Sequence, residues 1–142
     1  MNTTIHTPNG DYDITSMNNY YIVQLNGDEV VYSTELEAKK DIWKDVFTTL
    51  WDNPPQKRKM YNNNDIQCIL DYIKEDNNRK QLFFIILPNT KDGSDIKNII
   101  NSGYYEDFDK YDSDVCEQFL KCFEQLFDID ECIVRLIDLG KI

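Results

Sequence analysis

The run Leu82, Phe83, Phe84, Ile85, Ile86 and Leu87 constrains this chain more than any other feature. Six consecutive apolar side chains are bounded by Lys80 and Gln81 on one side and by Pro88-Asn89 on the other. A short apolar run between a polar residue and a breaker is the pattern of a strand buried on both faces. It predicts a central strand at about 81–87 in the only sheet, so the rest of the chain must supply the layers that cover it.

The first third reads as antiparallel hairpins. Residues 3–6 and 11–15 flank Pro8-Asn9-Gly10, while 20–25 and 29–32, rich in Tyr, Val and Ile, flank Asn26-Gly27-Asp28. Asn-Gly pairs supply the left-handed backbone that tight hairpin turns require. Thr34 followed by Glu37 is a capping box that opens a helix, and Pro54-Pro55 lies beyond its end. Leu36, Trp43, Val46, Phe47 and Leu50 make its apolar face. A second helix begins near Asn64 with Ile66, Ile69, Leu70 and Ile73 as its stripe, and Asp76-Asn77-Asn78 closes it.

Beyond the central run, Ser94 caps a short helix that ends at Gly103, and the most apolar helix spans 113–127. A last strand is expected at about 132–138, from Ile133, Val134, Leu136 and Ile137. The sum is an α+β fold in a single domain, 1–142: N-terminal hairpins forming a mixed sheet, covered by about four helices.

Charge excludes several functions. The 26 acidic and 15 basic side chains leave a net −11, which disfavours nucleic acid and anionic membranes, because binding phosphate needs Lys and Arg. No stretch reaches the length of a membrane span, and the polar first 13 residues do not resemble an export signal. The four cysteines, at 68, 116, 122 and 132, lack C-x-x-C spacing and fall at expected core positions. They read as reduced thiols in a cytoplasmic protein, host cytoplasm if the source is a phage or virus.

No residue set has the spacing of a catalytic, cofactor or metal site. His6 is the sole histidine, no G-x-S-x-G elbow occurs, and 89–94 lacks the glycines of a phosphate loop. The basic run Lys57-Arg58-Lys59 reads as a solvated or locally paired patch. The distinctive polar feature is 104–114, where Tyr104, Tyr105, Phe108 and Tyr111 interleave with Glu106, Asp107, Asp109, Asp112 and Asp114. Residues 104–142 hold eleven acidic against four basic side chains, and so most of the net charge.

A solvated loop whose acids favour the next helix N-terminus accounts for part of that pattern. The aromatics add a second expectation: a surface that docks on a basic partner protein, with rings as anchors and charges as steering. A calcium loop starting at Asp107 fails, since position 112 is Asp instead of Gly and position 118 is Gln instead of Glu. The function expected is a non-enzymatic protein-binding module. An acidic inhibitor of the phage or viral anti-defence type, or of the toxin-immunity type, would occlude a basic, nucleic-acid-binding surface. Fourteen asparagines, with abundant Ile, Lys and Asp, fit the AT-rich coding of such sources. The alternatives are a metal-dependent hydrolase using the 106–114 carboxylates and an assembly protein that forms a homo-oligomer through exposed tyrosines such as Tyr20, Tyr21, Tyr104 and Tyr105.

Overall fold

A computed structural model describes residues 2–142. Strands β1 (Asn2–Thr7), β2 (Gly10–Met17), β3 (Tyr20–Leu25) and β4 (Asp28–Tyr32) pair antiparallel in chain order. Three tight turns fix their register. Asn18 and Asn19, at φ 44° and 74°, join Met17 to Tyr20, and Asn26 and Gly27, at φ 53° and 83°, join Leu25 to Asp28. Two successive left-handed residues make the turn whose twist matches a right-twisted hairpin. The Asn18-Asn19 pair thus links the two expected hairpins into one meander. The fold is α+β, as expected, but the sheet is purely antiparallel instead of mixed.

Seven helices follow among the described residues, not four. They are α1 (Glu35–Leu50), α2 (Asn63–Glu75), α3 (Asn77–Ile86), α4 (Lys91–Ser102), α5 (Tyr105–Asp109), α6 (Ser113–Gln125) and α7 (Ile129–Asp138). The expected central strand at 81–87 is therefore the second half of α3. Asp76 is responsible: its carboxylate accepts from the amides of Asn78 and Arg79, at 2.8 and 3.4 Å, so the residues that end α2 also open the next helix. Leu82, Phe83 and Ile86 are fully buried, and Phe84 and Ile85 half-buried. A helix segment that is apolar all round belongs inside a helical layer.

The expected last strand at 132–138 is likewise helical. Asp128 caps α7 by accepting from the Glu131 amide at 3.2 Å, and Cys132, Ile133 and Leu136 turn inward at helical spacing. Other caps shift by a few residues. Thr34 caps α1 by accepting from the Glu37 amide at 3.1 Å, one half of the expected box, whereas α2 opens at a complete Asn62–Asp65 capping box and α4 at Thr90 instead of Ser94. Gly103 ends α4 in the left-handed region, at φ 76°.

Helix α1 joins the two parts of the molecule. Ala38 and Ile42 face the sheet and pack with Ile14, Val23 and Tyr32. Trp43, Val46, Phe47 and Leu50 belong to the larger helical core, with Phe83, Phe119, Phe123 and Ile73. Its carboxylates reach back to the sheet: the Tyr32 hydroxyl donates to Asp41 and the Tyr12 hydroxyl to Asp45, each at 2.8 Å. Burial, reinforced by the bond to Asp41, pushes the Tyr32 phenol well above its usual range.

Helix ends are tied together by side chains from other helices. Arg79 Nε donates to the Leu50 carbonyl and Nη1 to that of Tyr72, both at 2.8 Å, while Arg135 Nε donates to the Ile86 carbonyl at 3.1 Å. Lys74 Nζ donates to the Asn101 carbonyl at 3.0 Å. Carbonyls at helix C-termini have no partner within their own helix, and a cation there also meets the negative end of the dipole.

Candidate functional site

The acidic and aromatic segment is built on the junction of α4, α5 and α6. Gln67 of α2 holds its start: Nε2 donates to the Gly103 carbonyl at 2.7 Å, and Oε1 accepts from the Tyr105 amide at 3.0 Å. One side-chain amide thereby satisfies both the end of α4 and the beginning of α5. Asp112 then caps α6, accepting from the Val115 amide at 3.1 Å. What the sequence presents as a loop is a short helix between two capped ones.

That geometry divides the four rings. Phe108 is buried and meets Phe119 edge to face, with centroids 5.6 Å apart. Tyr105 and Tyr111 are half-buried and pack against the helical core. Tyr104 alone stands out, 64% exposed. Three rings hold the segment down, and one remains available to a partner.

The carboxylates divide as well. Asp107 is partly covered: the Ser102 hydroxyl donates to it, and Lys110 Nζ lies 3.1 Å away. The Ser102 bond, followed by Lys110, holds its carboxyl below the usual value. Glu106, Asp109, Asp112 and Asp114 are exposed, and no Lys, Arg or His of the described residues lies in ion-pair range of them. Asp109 and Asp112 add to burial in pushing the Cys116 thiol up. Among the described residues, no three His, Cys, Asp or Glu side chains converge as a metal site would require.

The remaining residues singled out in the sequence lie elsewhere. His6 is exposed on β1, its Nδ1 2.7 Å from Asp11. Arg58 of the basic run pairs with Asp65 at 3.1 Å. Cys122 and Cys132 are buried and Cys116 half-buried, but Cys68 faces solvent, a correction to its expected core position; all four are free thiols. Burial pushes the Cys132 thiol up to about 12, with Asp128 and Glu131 adding to it. Tyr20 is 36% exposed, whereas Tyr21 faces α1 and is half-buried. No helix of the described residues is long and apolar enough to cross a membrane.

Sequence reasoning missed the solvent side of the sheet. Alternation along the strands turns Met17, Tyr20, Ile22 and Val31 away from α1, and Asp11, Asp13 and Glu29 with them. The signal was present in the period-2 pattern of 11–17 and 28–32, where an apolar residue falls on both faces. Compared with known proteins, the chain matches no protein-family model, no curated protein and no solved structure.

Proposed function

We propose that the chain is a non-enzymatic protein-binding module, an acidic inhibitor that occludes a basic, nucleic-acid-binding surface of a partner protein. Phage or viral anti-defence proteins and bacterial immunity proteins are the contexts in which such a module works. The observation that carries this is the set of exposed carboxylates at 106, 109, 112 and 114, none in ion-pair range of a described Lys, Arg or His, beside the exposed Tyr104 ring. Helix α5, its start held by Gln67, and the Asp112-capped α6 hold them on a packed base, so a partner does not have to order a loop on binding. Like charges grouped on one face raise the encounter rate with a basic surface, and a single desolvated Tyr is a common anchor.

The test compares capture from a host lysate by the wild-type chain and by a Tyr104→Ala, Glu106→Lys, Asp109→Lys variant, at low and high salt. These positions leave Asp107 and the Asp112 cap intact. A basic protein should be retained by the wild type at low salt, lost at high salt and lost with the variant. Recovery of no basic protein, or equal retention by the variant, refutes the proposal.

A further inference from the structure

We infer that the solvent face of the β-sheet is a docking surface for a basic amphipathic helix of a partner protein. None of its residues belongs to 104–114. Register places Val31 beside Ile22, and Ile22 beside Thr15, with Tyr20 opposite Met17 at the adjoining end. Val31 is 57% exposed, Met17 45% and Tyr20 36%. Further along the same face stand Asp11 opposite His6, Asp13 opposite Thr4 and Glu29 opposite Gln24. A hollow of about 670 Å³ lies over this face, walled in part by Asp11, Asp13, Thr15, Met17, Ile22 and Glu29.

Two features say what fits. The first is charge: the first 38 residues contain no Lys or Arg, so His6 is the sheet's single basic side chain. Exposed sheet edges are ordinarily guarded by charged side chains, lysines above all. Here Asp11, Asp13 and Glu29 select for cations, and a second copy of the chain would bring like charges together. The second is size. Four strands set about 4.8 Å apart span roughly 14 Å, and one helix about 10 Å across covers most of that width, as α1 does on the opposite face. An apolar stripe would lie on Met17, Ile22 and Val31, and Lys or Arg along its flank would meet the three carboxylates.

The experiment titrates the isotopically labelled full chain with a synthetic Leu/Lys peptide of about five helical turns. A shuffled peptide of the same composition and a Leu/Glu counterpart serve as controls. Amide shifts should centre on residues 13, 15, 22, 29 and 31, with affinity about tenfold above that of either control. A Met17→Lys, Val31→Lys variant, its fold verified by its own amide spectrum, should lose that advantage, whereas Glu106→Lys, Asp109→Lys should keep it. Shifts confined to 104–114, equal binding of the shuffled peptide, or a sedimenting dimer abolished by Val31→Lys would each overturn the inference. The first of these outcomes would leave the proposed function standing, so the two fail separately.

Discussion

Replacing Arg79 by Met tests the largest departure of this fold from its sequence reading. If 81–87 were a strand, Arg79 would sit in a loop and its loss would matter little. In the structure its side chain is 12% exposed, and its two hydrogen bonds close the C-terminal carbonyls of α1 and α2 at 2.8 Å. Its guanidinium also lies 3.8 Å from the Tyr72 ring centroid. Each charge-assisted bond contributes about 1.5–3 kcal/mol and the ring contact about 1 kcal/mol. The pair with Glu75, whose carboxylate is 74% exposed, adds almost nothing. Arg79→Met should therefore cost about 4–7 kcal/mol in urea unfolding with an unchanged m-value, and lower the melting temperature by roughly 15–20 °C. Arg79→Lys should cost about half as much, because one ammonium does not span both carbonyls. A loss below about 1 kcal/mol for Met, or equal losses for Met and Lys, would refute the helix-tying role.

Four further outcomes follow from the geometry. Phe108→Ala should cost about 3–5 kcal/mol and Tyr104→Ala less than about 0.5 kcal/mol in the same assay, since the first ring fills the core and the second does not; reversed values would contradict the division of the rings. Gly93→Ala should be severely destabilising by melting temperature, because a Cβ there falls on the Pro88 carbonyl oxygen. Tyr32 and Tyr72 have raised phenol pKa values, the latter about 12, mainly through burial; the unfolded chain then loses these protons first, so stability should decline from about pH 10 upward. The phenolate absorbance that Tyr32→Phe removes should rise together with unfolding, and the same substitution should flatten the decline. Asp107 has a lowered pKa, so its contribution is complete above the ordinary 3.8 and is lost as pH falls through the folded value; acid titration of Asp107→Asn should show a shallower loss below pH 4.

How much of this was legible in the sequence depended on whether local chemistry or packing decided each element. Strands β3 and β4 lie within a residue of their expected limits, because the Asn26-Gly27 turn and the Tyr, Val and Ile pattern act locally. Thr34 and Gly103 likewise announce a helix start and a helix end. The 81–87 run misled because a buried strand and a buried helix turn share the same continuous apolarity, and the polar residues 77–81 that complete the helix read as a break. For α7, Asp128 with Glu131 three residues on was a capping signature that outranked the apolar run. In the 104–114 segment the charges were legible because they stay at the surface. Which ring stays with them was not, since Phe108 answers to Phe119, eleven residues on, and Tyr105 packs against the helical core while its backbone N–H donates to the Gln67 side chain.

The same helix ends bear on the electrostatics of the surface. The chain has three arginines, and two of them, Arg79 and Arg135, spend donors on the carbonyls of Leu50, Tyr72 and Ile86, as Lys74 does on Asn101. Cations at helix C-termini meet the negative ends of the backbone dipoles. The surface field keeps the sign of the net −11, since Asp76, Asp112 and Asp128 meet helix N-termini in the same way. It is also uneven, since the sheet carries no Lys or Arg at all and 104–114 carries Lys110 alone, already engaged by Asp107. A fold that commits part of its scarce positive charge to joining helices leaves the solvent face of the sheet and the 104–114 segment acidic, the charge both proposals require.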